Sequence, residues 1–304
     1  MAVPTILIVL YLVALHPVAV AAGPTGFSIL RLTSGARTSG LADAGVALAD
    51  GDALSVNPAA LLVEGGGAFG LTHSEWIEEI RHEYLTAAYK GGGGGDVVGL
   101  QAQLFHAGGL EHRVGPSAEP LGEFGVYEWS LGVAWSRPFS DKLRLGVGAK
   151  LLRQSIFAES ATGAAADFGF LYNLRPALLV GASARNLGGL NKLEEGSTEL
   201  PRQLRLGALV RPRPGVILLA DGQWVKGADS SLHVGAEYAW RPNLHVRGGY
   251  QTSDTRSLSL GVGVGVGPWR VDYAAVPFGS GLGEAHRVTL YLNEPAPFSQ
   301  DATP

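Results

Sequence analysis

Cysteine is absent from the 304 residues, which excludes disulfides and thiolate metal sites. Charge is scarce as well: 16% of residues are charged, against about 25% in a typical soluble domain. The net charge of -4 leaves no electrostatic case for a nucleic-acid partner. After residue 23 no stretch approaches the ~20 apolar residues that a membrane-spanning helix needs. The usual chemical motifs are missing too. There is no His-Glu-x-x-His, and His73, His82, His106, His112, His233, His245 and His286 are scattered singly. Asp50-Gly51-Asp52 lacks the further oxygen ligands of a calcium loop and reads as a turn. Gly91 to Gly95 is not followed by Lys-Ser/Thr, so it is no phosphate loop. The glycines from Gly261 to Gly267 miss the dinucleotide spacing and open no helix; they read as strand, with room left on one face. No Ser–His pair has an identifiable orienting group. The expectation is a protein that is not an enzyme and holds no cofactor and no metal.

What the chain does have is glycine, 44 residues of it, and a strongly patterned body. Residues 2–22 form an apolar run ending in Ala19-Val20-Ala21, an A-x-A-like cleavage site, so residues 1–22 read as a secretory signal peptide. No Lys or Arg precedes the run, and the competing reading is an uncleaved anchor. His16-Pro17 near its end speaks against the anchor, and export is the expectation.

From about residue 66 to residue 292 the period is two. Leu143, Leu145, Val147, Ala149 and Leu151 alternate with Arg144, Gly146, Gly148 and Lys150; Leu258, Leu260, Val262, Val264 and Val266 alternate with Ser259, Gly261, Gly263 and Gly265. Such alternation marks strands with two different environments. Counting the runs predicts about fourteen strands of roughly ten residues, the length a tilted strand needs to cross a bilayer. A soluble sandwich alternates too, but its polar face carries charges into bulk water. Here the polar face is mostly Gly, Ser and Gln, and the apolar face ends repeatedly in aromatics: Trp129, Trp135, Trp224, Tyr238, Trp240, Tyr250 and Trp269. Those suit an interfacial girdle. A Lys or Arg facing lipid at mid-bilayer costs ~2–4 kcal/mol. Arg144, Lys150, Asp167, Arg185, Arg205, Asp221, Glu237, Arg247, Arg270, Asp272 and Arg287 are therefore expected to line a lumen. The fold class predicted is all-β: a transmembrane antiparallel β-barrel of about 14 strands over 65–292. Residues 107–127 and 187–201 read as extracellular-type loops, and the polar, Pro-rich residues 293–304 as a disordered tail.

One stretch does not alternate. Residues 35–61 are rich in Ala and Gly, with Gly35, Arg37, Gly40, Asp43, Gly45, Asp50 and Gly51 among them. Asn57 is a good N-cap and Pro58 suits the first helical position, so Asn57-Pro58-Ala59 reads as the start of a short, closely packed helix. The segment admits two readings, a surface loop with its helix or a plug inside a closed sheet.

The motifs Gly35-Ala36-Arg37, Gly40-Leu41-Ala42-Asp43-Ala44-Gly45 and Asn57-Pro58-Ala59 resemble the PorV/PorQ family of outer-membrane proteins, relatives of the FadL-type transporters. Further similarity lies in Thr72 to Trp76, Arg81 to Tyr84, and Gly283 with His286-Arg287. The resemblance implies a fourteen-stranded barrel in the outer membrane of a Gram-negative-type bacterium, with an N-terminal plug (23–64) in its lumen. It implies one of two activities. A FadL-like barrel passes small hydrophobic compounds; a PorV-like one is a non-enzymatic partner of a type IX-like secretion system. Expected partners are outer-membrane lipid with a hydrophobic small molecule or a secretion protein. The plug is expected to be held by Arg37, Asp43 and Asn57 bonding to lumen-facing charges.

Overall fold

The computed structural model describes residues 25–63, 65–76, 80–91, 94–113, 115, 119–191, 199–252, 256–279 and 283–293. The predicted signal peptide (1–22) and all of the predicted tail except Asn293 lie outside the described residues.

Alternation of large apolar with small or polar residues sends successive side chains to opposite faces of each strand, and the strands close on themselves. They are β1 (Gly67–Glu75), β2 (Arg81–Lys90), β3 (Val97–His112), β4 (Gly122–Pro138), β5 (Leu143–Ile156), β6 (Glu159–Arg175) and β7 (Leu178–Leu190). The second half comprises β8 (Gln203–Arg213), β9 (Val216–Val225), β10 (Ser231–Arg241), β11 (Leu244–Gln251), β12 (Leu258–Val266), β13 (Trp269–Pro277) and β14 (Glu284–Leu292). Each pairs antiparallel with the next, and β1 pairs with β14 to close a fourteen-stranded barrel.

The apolar face points outward. Leu145, Val147 and Leu151 of β5 are exposed, while Arg144, Lys150 and Leu152 are buried. The same inversion holds on β12, where Leu258 and Leu260 are exposed and Ser259 is buried. A closed barrel leaves no unpaired edge, and an apolar exterior is what a bilayer tolerates. Among the described residues no helix is long and apolar enough to cross a membrane.

The two ends differ. Where β1 begins and β14 finishes, hairpins turn in two residues at 176–177, 214–215, 242–243 and 267–268. Gly215 and Gly267 supply the positive φ that two of these tight turns require. Most connections at the opposite end are longer, and β3 to β6 run on to 14–17 residues against 8–11 for β10 to β14. One side of the wall is therefore taller. In outer-membrane barrels the short turns face the periplasm and the long loops the exterior.

Two loop assignments need correction. Ala107–His112 and Gly122–Tyr127 are strand rather than loop, and so are Leu187–Leu190. A bulge between Ala107 and Leu110 absorbs Gly108-Gly109, with Gly109 at φ 66°. Bulges keep a ladder going past a break in alternation, so the break was not an end. The weakly alternating β1 and β2 pair in full register from Gly67↔Tyr89 to Glu75↔Arg81.

Residues 27–63 lie inside the barrel and are buried almost throughout. They contain a 3-10 turn at Ser28–Arg31, helix α1 (Ala36–Gly40), and 3-10 turns at Ala53–Ser55 and Pro58–Ala60. The segment descends from the long-loop end, where it packs on β3, past β11 to β14 beside α1, to β4, β5 and β6 beside Pro58–Ala60.

Candidate functional site: the barrel lumen

A buried segment with so little regular structure leaves most of its backbone groups without internal partners, and buried N–H and C=O groups have to be satisfied. The inward-facing side chains supply those partners along its whole length. Glu128 accepts from Ile29 N at 2.8 Å and Gln203 donates to Leu30 O at 2.6 Å. Arg287 donates to Thr33 O, and Thr289 accepts from Ala36 N. His233 bonds Ala42 O at 2.7 Å, and Arg205 donates to Asp43 O at 2.5 Å. One carboxylate oxygen of Asp221 accepts from both Gly45 N and Val46 N, at 2.6 and 2.8 Å. Thr86, Ser136 and Arg144 hold Gly51 O, Ala59 O and Leu61 O.

A chain of charges joins the segment to the wall twice. Asp50 meets Arg37 at 3.2 Å, and Arg37 holds Glu237 through Nε and Nη2, both at 3.0 Å. Glu237 faces Arg247 across the β10–β11 ladder at 3.1 Å, and Arg247 reaches Asp272 at 2.9 Å. Asp272 meets Arg270 at 3.0 Å; Arg270 lies 4.3 Å over the Tyr291 ring, and the Tyr291 hydroxyl donates to Asp52. The chain thus leaves the segment at Asp50 and returns at Asp52.

The glycines of β12 make this possible. A Cβ on Gly263 would stand 2.1 Å from Asp272 Oδ1 and 2.5 Å from Arg247 Nη2, so Gly263 is the corridor through which Arg247 crosses β12 to β13. Gly263→Val should break the Arg247–Asp272 contact and cost about 1–3 kcal/mol through overpacking. Urea unfolding from lipid vesicles would read this, and an unchanged midpoint would contradict the corridor role.

A second cluster sits nearer the long loops. Lys150 meets Asp167 at 2.8 Å and Asn186 Oδ1 at 2.6 Å, and Arg185 lies 3.8 Å from Asp167. Asn186, at φ 60°, also donates to Leu30 O and Pro201 O. At the mouth, Gly26 N donates to Glu199 O. The Lys226 ammonium, hydrogen-bonded to the Glu199 carboxylate, holds it below the usual carboxylate range.

The residues singled out from sequence fall as follows. Arg144, Lys150, Asp167, Arg185, Arg205, Glu237, Arg247, Arg270, Asp272 and Arg287 are all buried on the inner face. They do not form one site: Arg144 stands near the short-turn end, Lys150–Asp167–Arg185 on the tall wall, and Glu237 to Asp272 on the low wall. Gly35 and Gly40 lie tight against Asp52 and the Arg247 stem. Asn57 caps the turn at Pro58, its Oδ1 accepting from Ala59 N at 3.0 Å. Gly146 and Gly169 let Pro58 and Ala59 approach the wall, since a Cβ there would stand 2.3 Å and 2.6 Å from Ala59 N. Asn57 does not bond a charge: its Nδ2 donates to Val46 O and Phe170 O, because the wall opposite it is glycine and presents backbone. Asp43 reaches Arg256 of the β11–β12 connection at 2.7 Å rather than a strand charge. Sequence reasoning missed Glu128, Asp52, Asn186, Gln203, Thr289 and Tyr291. Strand parity alone marks Glu128 and Thr289 as inward; nothing local marks Asp52 or Asn186.

Three apolar clusters complete the interior. Phe27, Ile29 and Leu30 pack with Phe105, Ala107, Leu152, Ala165 and Leu200 near the long-loop end. Leu41, Ala44, Ala47 and Leu48 pack with Leu171, Leu179, Leu209, Ile217 and Leu219. Leu54, Leu61 and Val63 pack with Ala68, Ala88, Val97 and Ala134 by the short turns.

No protein-family description matches the sequence, and no curated protein matches it. Solved structures do. The chain is similar to the Ralstonia pickettii toluene transporter TbuX (16% identity, 85% of this chain and 96% of that one, TM-score 0.61). It is similar to the CymD monoaromatic hydrocarbon channel (14%, 86% and 96%, TM-score 0.64) and to a Pseudomonas aeruginosa FadL homologue (12%, 91% and 99%, TM-score 0.60). At these identities the likeness establishes the fold, that of the FadL-type barrels.

Proposed function

We propose that the chain is an outer-membrane channel for small hydrophobic compounds, closed by its own N-terminal segment. In this reading residues 1–22 are the export signal, 23–64 a displaceable plug, 65–292 the barrel and 293–304 a tail. The observation that carries it is the cluster at the long-loop end. Phe27, Ile29 and Leu30, at most 1% exposed, fill an inward-facing apolar chamber of Phe105, Leu152 and Leu200. The chain's own side chains occupy the kind of space a hydrocarbon takes from water, at about 25 cal/mol per Å² of apolar surface buried. The neighbours described as toluene and hydrocarbon transporters support the same reading. A secretion partner, the activity expected of a PorV/PorQ relative, draws no support from them.

The test is uptake of radiolabelled toluene by Gram-negative cells that lack other barrels of this type. Expression should raise toluene uptake several-fold and leave lactose uptake unchanged. Equal toluene uptake with and without the protein would overturn the reading.

A further inference from the structure

Many inward-facing polar groups bond the segment's backbone; among those that do not is a neighbourhood of β2, β3 and β4. Oε1 of Gln103 and Oγ of Ser130 are buried without a hydrogen bond, and the buried His82 ring has no hydrogen-bond partner besides the Gln103 side chain. His82, Gln103 and Ser130 are 0%, 4% and 0% exposed. They are neighbours: Gln103 pairs directly with Ser130 across β3–β4, and its amide lies beside the His82 ring. Leaving such groups unsatisfied destabilises the fold, and a concentration of them calls for a cause.

Their position offers one. His82 is the cross-strand partner of Phe105, and Ser130 is the partner of Leu152. Phe105 and Leu152 are the wall of the apolar chamber that Phe27, Ile29 and Leu30 fill. The unsatisfied groups therefore border the chamber. On the proposed reading, displacing Phe27, Ile29 and Leu30 brings whatever enters the chamber against them.

Resting on that reading, we infer that His82, Gln103 and Ser130 form a polar subsite for the head of the transported compound. The ligand class is then amphipathic: an apolar body with one neutral hydroxyl, as in alkylphenols. A hydroxyl both donates and accepts, which matches an amide oxygen, a serine hydroxyl and an imidazole. A charged head fits less well. Of the flanking charges, Arg287 is committed to Ser74, Ser39 and Thr33 O, and Glu128 to Ile29 N and Gln154. They are opposite in sign, so neither sign of ligand is favoured.

The experiment is equilibrium binding of 4-ethylphenol, ethylbenzene and 4-ethylbenzoate to the full-length protein in nanodiscs, corrected for partition into lipid. Wild type should bind 4-ethylphenol about tenfold tighter than ethylbenzene, the worth of one or two hydrogen bonds. Ser130→Ala with Gln103→Leu should bring the two within about twofold while ethylbenzene binding is unchanged. Because Oε1 of Gln103 and Oγ of Ser130 bond nothing in the structure, the double variant should unfold close to wild type. Equal binding of both in wild type, a preference that survives the double variant, tighter binding of 4-ethylbenzoate, or early unfolding of the variant would overturn the subsite and leave the channel standing. No binding of any of the three would overturn both.

Discussion

Glu237→Ala is expected to be the most damaging single substitution in the lumen. It removes the carboxylate that Arg37 holds through two hydrogen bonds and that Arg247 faces as an ion pair at 3.1 Å. Both guanidiniums are at most 4% exposed, so they would be left close together and like-charged without water. Breaking a buried pair in this way costs about 3–5 kcal/mol, far more than the intact pair contributes. The loss falls on the contact between segment and wall rather than on the β-ladder, whose hydrogen bonds between β10 and β11 are backbone. The barrel should therefore still form and resist denaturation in detergent, while residues around Arg37 become accessible to protease. In a planar bilayer the variant should show frequent open bursts. A variant as silent and as protease-resistant as wild type would show that the ionic chain does not hold the segment.

Deleting residues 35–61 should have the largest effect on permeation. The deletion removes α1 and both later 3-10 turns, with the apolar contacts around Leu41, Leu48, Leu54 and Leu61. It bares the inner-face groups that bonded the segment's backbone, among them Arg205, Asp221, Ser136 and Thr86. Those groups are polar, and water would take the segment's place. The expected result is a steady open channel passing lactose, where the intact protein passes none. Lactose exclusion by the deleted protein would contradict the segment's role as the barrier.

The wall of this molecule was readable because its two faces obey one rule along the whole chain. Alternation such as Leu143 to Leu151 gave the strands, and the cost of charge in lipid gave their inner side. The glycine run of β12 was legible as strand with space on one face; that Arg247 uses the space to reach Asp272 was not, because a register between strands is needed. The extents of β3 and β4 were misread for a local reason. Gly108-Gly109 ends the alternation, but a bulge carries the pairing on to Glu111↔Glu123 and His112↔Gly122. Within the segment, the cap at Asn57 follows from three residues of sequence. The remaining contacts of the segment are tertiary. Asp52 reaches Tyr291 across 239 positions and Asn57 bonds a backbone carbonyl, neither of which leaves a local trace.

If solute crosses only when the segment moves, a reversible lock on the segment must stop it. The chain has no cysteine, and Ala36 N donates to Thr289 Oγ1 at 2.9 Å. That contact keeps the two Cα atoms within the ~7 Å a disulfide spans, so cysteines are placed at the two positions. Toluene uptake through the Ala36→Cys, Thr289→Cys protein should stop on oxidation and return on reduction, with each single substitution insensitive to both. Uptake that continues undiminished through the oxidised double variant would show that the solute passes without displacing the segment.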